Sequence, residues 1–164
     1  MDCAGPWTIR VKNEITGETT EYKIHILSIV DIATNWPEFV LISTANSKEV
    51  AAGLDINWLC RYPKPAECGH DNGNEFMVFE FQDMLISYGI KSKPTTVKNP
   101  MARAIVERIH LTLAEYLRTK IFEQDWSEEL NLLIQSTAWA IRAANPSNSP
   151  YSPCQLAFGR EMIF

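Results

Sequence analysis

Tyr22-Lys23-Ile24-His25-Ile26-Leu27-Ser28-Ile29-Val30 is dense in β-branched and aromatic residues, and Phe39-Val40-Leu41-Ile42-Ser43 repeats that character after Asn35-Trp36-Pro37. Such side chains suit a pleated, half-buried surface, and the break between the two runs supplies a turn. The stretch reads as an antiparallel hairpin. Immediately after it the period changes: Asn46 with Glu49 resembles a capping box, Val50, Leu54 and Trp58 recur at helical spacing, and Tyr62-Pro63 ends the run. A helix of about four turns is expected there.

Working outward, Lys12 to Glu18 is a polar loop, so the first strand is expected at or before Asp2, with its first half missing where the chain begins. Ala66 to His70 is a short strand leading into Asp71-Asn72-Gly73, although Gly69 weakens it. Met77, Phe81, Met84, Leu85 and Tyr88 form one apolar helical stripe closed by Gly89, and Ile90 to Thr96 is extended. Asn99-Pro100 starts a long helix reaching about Lys120. A last helix opens at Asp125, boxed with Glu128, and stops before Pro146; Ser149 to Phe164 reads as a Pro-punctuated loop. Strands first, then helices alternating with strands, indicate an α/β fold with a mixed sheet covered on both faces.

The chain has 164 residues, 46% hydrophobic and 21% charged, enough for one core and one domain spanning residues 1–164. It has no run of about 20 apolar residues and no signal-peptide pattern, which leads us to expect a soluble intracellular protein. Cys3, Cys60, Cys68 and Cys154 lack paired spacing and are expected as reduced, packed thiols. With His25, His70 and His110 equally dispersed, any metal should be held by oxygen. The net charge of −5 argues against a simple nucleic-acid binder unless acids cluster about a metal and bases line one surface.

On the helix from Pro100, residues Ile105, Val106, Ile109, Leu113, Tyr116 and Leu117 fall in one sector of about 120°, a core-facing stripe. Arg103, Glu107 and His110 fall opposite. Glu107 is thus either a solvated carboxylate, the ordinary fate of a helical Glu, or part of a site. Asp71-Asn72-Gly73 is likewise either a tight turn or a carboxylate at a strand end. If Asp71 ends a strand beside that of Asp2, two acids converge at a sheet edge, where α/β proteins commonly place ligands. Three such acids would repel without a compensating cation, and two Mg²⁺ ions suit hard oxygen donors and phosphodiester chemistry.

At these residues the sequence resembles the integrase catalytic core of retroviruses and, more closely, of gypsy-type long-terminal-repeat retrotransposons. The likeness rests on Asp2-Cys3-Ala4-Gly5-Pro6, on His70-Asp71-Asn72-Gly73-Asn74-Glu75-Phe76, and on Asn99-Pro100 through Ile105-Val106-Glu107-Arg108-Ile109-His110. Order and spacing strengthen it, since 35 residues separate Asp71 from Glu107. Ser152 to Arg160 also looks like the segment closing gypsy-type cores.

The resemblance implies a ribonuclease H-like fold with a five-stranded mixed sheet between helices. It implies a catalytic triad of Asp2, Asp71 and Glu107 holding two Mg²⁺ (or Mn²⁺) ions, with Asp2 bridging both. The reaction implied is 3′-end processing by water, then strand transfer by the element's 3′-hydroxyl, on double-stranded DNA from element ends and target. It further implies a homo-oligomer working in the nucleus or a cytoplasmic element particle, with a zinc-binding region before the core and a basic region after it. Retroviral enzymes carry Lys just after the Glu where this chain has Leu111 and Ala114. Asn72, Lys91, Lys93, Lys98, Arg103 and His110 are therefore the candidate DNA contacts, with a solvated charge cluster as the alternative for each. Asp31, which also ends an expected strand, competes with Asp2 as the first carboxylate. Two other functions compete: a degenerate or domesticated integrase fold acting as a DNA-binding or interaction module, and a ribonuclease H or other nuclease.

Overall fold

Thirteen consecutive residues, Thr19–Asp31, form the central strand β2, and the alternation of its side chains organises the molecule. The computed structural model describes residues 1–12, 17–94, 100–121, 130–147 and 149–162, without the side chains of 9–12, 22, 100–103 and 118–121. β1 (Asp2–Lys12) and β3 (Trp36–Ile42) flank β2, both antiparallel to it. Ile24 and Ile26 enter one apolar cluster and Leu27 and Ile29 the other, so β2 is buried on both faces.

Each face has its own helices. On the first, α4 (Pro100–Ile121) contributes Ile109, Leu113 and Leu117, and α5 (Leu130–Ala143) contributes Leu130, Ile134 and Ala138. On the second lie α1 (Ser47–Leu54) through Val50 and Leu54, α2 (Asn74–Met77) through Phe76, and α3 (Phe79–Ser87) through Phe81 and Leu85. β4 (Glu67–His70) and β5 (Lys91–Pro94) pair in parallel. The five expected strands are present in mixed directions, as a three-stranded and a two-stranded ladder. They adjoin where the Met1 ammonium donates to the Gly69 carbonyl at 2.6 Å.

Several local expectations change. β1 runs onward from Asp2 and pairs with β2 as far as Lys12, rather than ending at Asp2. Asn46 caps α1 by accepting from the Glu49 amide at 2.9 Å, and the helix then continues as a π turn over Asp55–Leu59. The single stripe from Met77 to Tyr88 is two helices, broken at the extended Val78; the Gln82 side chain donates to the Phe76 carbonyl at 2.6 Å across the break. The tail expected as a loop contains α6 (Pro153–Phe158), held by a reciprocal Ser152–Gln155 capping box with Pro153 in the first turn. Cys60 is exposed rather than packed, and all four cysteines are free. The Asn99 cap and the Asp125–Glu128 box lie outside the described residues.

Two buried polar groups tie the layers together. Glu38 of β3 is 2% exposed. It pairs with Arg142 of α5 at 2.6 Å and accepts from the Tyr62 hydroxyl at 2.6 Å, while Arg142 also lies over the Trp36 ring. Glu38→Ala would leave a buried guanidinium without its carboxylate, and urea unfolding should show a loss of about 3–5 kcal/mol.

His70 is fully buried, stacked on Phe76 and edge-on to Phe81. Burial pushes its pKa below the ordinary 6.5, outweighing the opposing pull of the Asp71 carbonyl and charge. The stability from burying it neutral is complete above 6.5 and is lost as the pH falls below that value toward the lowered folded-state pKa. Thermal unfolding should therefore show a melting temperature that declines through this window, with a shallower decline in His70→Gln.

Candidate active site

Asp2 opens β1 directly opposite Ser28 of β2. Its Asp-x-x-Gly-Pro setting has a backbone cause: the register slips between Ala4 and Trp7, with Gly5 at φ 125° in the slip. A Cβ on Gly5 would lie 2.7 Å from the Ile24 carbonyl oxygen, so no larger residue fits, and Pro6 has no N–H to give the ladder. The short segment Asp2–Ala4 is thereby set off from the rest of β1.

Asp71 follows β4, and a histidine holds its backbone. His70 Nδ1 lies 2.6 Å from the Asp71 carbonyl, and Nε2 lies 2.9 Å from the Ser92 hydroxyl on β5. A carbonyl only accepts, so Nδ1 carries the proton and Nε2 accepts from Ser92. The exposed Asp71 carboxylate accepts from the Gly73 amide at 3.0 Å, closing the turn into α2. The turn reading and the strand-end reading of Asp71-Asn72-Gly73 both hold.

Glu107 lies exposed on α4. His110, one turn further on, faces inward; at about 100° per residue it lies only about 20° beyond Leu117, at the edge of the apolar stripe and not opposite it. Its Nε2 lies 2.7 Å from the Ser28 hydroxyl and its Nδ1 3.5 Å from Asp2 Oδ2. This face of α4 also meets the sheet, at the start of β1. Both nitrogens of the His110 ring are thus turned to groups of this chain, one to Ser28 and one toward Asp2.

Asp2 and Asp71 both act electrostatically on the Met1 ammonium, and Asp2 and Glu107 both act on His110. The ammonium and the His110 imidazole are each pushed down chiefly by burial, against the upward pull of these acids. Among the described residues, no group of three or more His, Cys, Asp and Glu is drawn together tightly enough to hold a metal ion. The donors are nonetheless of the hard oxygen kind that suits Mg²⁺ or Mn²⁺.

Sequence reasoning missed Glu75 as a neighbour of this site. It lies near Cys3, whose thiol is pushed far up by burial and then by the charges of Glu75, Asp2 and Asp71. A Cβ on Gly73 would meet the Glu75 carboxyl group at 2.8 Å, so the residue at 73 must be small for Glu75 to fold back. The available signal was the Gly73-x-Glu75 pattern beside Asp71. An open groove of about 580 Å³, lined by residues including Asn46, Asn74 and Glu75, runs past it.

The remaining candidates divide. Asp31 is engaged in the β2–β3 turn, accepting from the Thr34 hydroxyl at 2.6 Å and the Ala33 amide at 3.3 Å. Asn72 is exposed. Lys91 and Lys93 are exposed on β5 and share Glu67, at 3.3 and 2.7 Å. Such surface pairs are weak and exchange readily. Lys98 and the side chain of Arg103 lie outside the described residues.

No protein-family model matches the chain. Its sequence is 27% identical over 143 residues to the Gag-Pol polyprotein of walleye dermal sarcoma virus, covering 85% of this chain and 8% of that polyprotein. In structure it is similar to the HTLV-2 integrase catalytic core domain in complex with magnesium, trimeric form. That match has a TM-score of 0.67, 20% identity, and 95% coverage of both chains. It is also similar to the catalytic core domain of BIV integrase, with a TM-score of 0.70, 16% identity, and coverage of 93% of this chain and 91% of that one. These likenesses are to retroviral proteins and do not single out gypsy-type elements. The chain has the ribonuclease H-like fold of the retroviral integrase catalytic cores, and its sequence similarity runs to a retroviral Gag-Pol polyprotein.

Proposed function

We propose that this chain is the catalytic core of a DNA integrase of a long-terminal-repeat element, of the gypsy type by its motifs, which processes element 3′ ends and joins them to target DNA. The observation that carries the reading is the arrangement of its three acids in an integrase-core fold. The Met1 nitrogen bonds the Gly69 carbonyl just before Asp71, His110 touches Asp2, and Glu107 stands one turn before that histidine on α4. Asp2, Asp71 and Glu107 would hold a pair of Mg²⁺ or Mn²⁺ ions. Such a pair supplies activation of the attacking oxygen and stabilisation of the leaving oxygen.

The chain's own residues do the rest. In this reading β1 and the end of β4, from adjoining ladders, would present two acids, and α4 the third. The attacking group is water in end processing and a DNA 3′-hydroxyl in joining. Exposed Asn72, Lys91 and Lys93 would offer contacts to DNA phosphates, and Lys98 and Arg103 remain candidates from the sequence. The net charge of −5 makes such binding depend on local distribution. Magnesium in the HTLV-2 core, and the trimeric form of that core, support metal use and homo-oligomerisation here. The nucleus or a cytoplasmic element particle is the proposed place of action.

A metal-free DNA-binding or interaction module is the second reading. It is favoured by the acidic balance and by the absence, among the described residues, of three acids closed into one ligand shell. Two measurements decide. With Mg²⁺ or Mn²⁺ and a DNA duplex carrying the element end, the protein should nick and join strands. Glu107→Gln should lose at least about a hundredfold in rate with its fold retained, because even outer partners of metal ligands cost about 10- to 100-fold. Titrating Mg²⁺ should raise the melting temperature, since a ligand that binds the folded state stabilises it. A flat response at every concentration would establish the module instead. Greater activity on RNA–DNA hybrids than on DNA would make it a ribonuclease H.

A further inference from the structure

His110 bridges two elements that meet at the first acid. Asp2 and Ser28 are direct partners across the β1–β2 ladder, and the imidazole touches both, Ser28 Oγ at 2.7 Å and Asp2 Oδ2 at 3.5 Å. An ionised carboxylate only accepts, so Nδ1 turns its N–H toward Asp2, and Nε2 takes the hydrogen of the Ser28 hydroxyl. Asp2 thus selects the tautomer, and Ser28, whose hydroxyl serves either way, seats the ring.

Exposure grades outward along this chain of contacts. Ser28 is 0% exposed, the His110 side chain 17% and the Asp2 side chain 35%. The anchor is dry while the carboxylate reaches solvent. At 3.5 Å the last contact is longer than a full hydrogen bond, so the N–H dipole can orient Asp2 while leaving its oxygens able to take a cation. Side chains that ligate metals are commonly oriented in this way by a partner one step removed.

We infer that His110, seated on Ser28, is a positioning residue that orients the Asp2 carboxylate for binding a divalent cation. This rests on the proposed role of Asp2 as a ligand. It replaces the assignment of His110 to a DNA-contacting surface.

The test uses the full chain, with and without Mn²⁺, and two readouts. One is the side-chain carboxyl ¹³C resonance of Asp2 in metal-free protein; the other is Mn²⁺ affinity by calorimetry. His110→Leu removes both contacts and should move the resonance and weaken Mn²⁺ binding by about 10- to 100-fold. His110→Asn, whose amide can occupy the place of Nδ1–H, should recover most of that affinity. Ser28→Ala, which unseats the ring, should shift both readouts in the same direction by less. A folded His110→Leu with wild-type resonance and affinity would overturn the inference, as would His110→Asn binding as weakly as His110→Leu. If His110→Leu does not fold, an unmoved resonance in Ser28→Ala overturns it. A wild-type chain that binds no Mn²⁺ would end the proposed function, while the Asp2 resonance would still decide whether His110 orients that carboxylate.

Discussion

Burial of β2 on both faces is the constraint from which the rest of the molecule follows. A strand with apolar side chains on each side cannot rest against a single layer, because every second residue would remain in water. Ile24 and Ile26 require α4 and α5, and Leu27 and Ile29 require α1, α2 and α3. Since β1 pairs with β2 along its length, Asp2 is carried to the place where α4 crosses the sheet. The geometry of the acids is thus a by-product of packing the central strand.

The same layering explains why the site is organised by serine–histidine pairs. Ser28–His110 stands behind the Asp2 carboxylate, and Ser92–His70 stands behind the Asp71 backbone. In each, a hydroxyl on one strand fixes the imidazole, which then has one N–H left for the aspartate. Both rings are pushed toward neutrality by burial, which removes the cost of a buried charge. The start of β1 and the end of β4 are therefore each backed by a buried imidazole, with the Asp71 carboxylate exposed and that of Asp2 partly so.

Much of the fold was legible because its signals are local. The β2–β3 hairpin, the Asn46 cap, the strand before Asp71 and the long α4 are written in propensity, capping and period. The Ser152–Gln155 capping box of α6 was equally legible and was passed over, because Pro153 read as a breaker when it sat in a first helical turn. The break at Val78 carried no comparable signal, since the apolar stripe continues through it. β5, Lys91–Pro94, lies within the extended stretch expected from Ile90 to Thr96, but its lack of apolar pattern left its parallel pairing to β4 unreadable.

By itself the sequence determined which acids exist, their order, the 35 residues between Asp71 and Glu107, and the glycine at position 5, which the positive φ beside Asp2 requires. Tertiary structure alone decided that His110 meets Ser28 and Asp2, that Asp31 is spent on a turn, and that Glu75 joins the neighbourhood of Asp2. The reason is the range of the forces concerned. Capping and periodicity act within a few residues, whereas His110 and Ser28 are 82 residues apart and meet only after the helix has packed on the sheet. A helical wheel places His110 at the edge of the apolar stripe, about 20° from Leu117, but cannot name Ser28 as the partner it meets there.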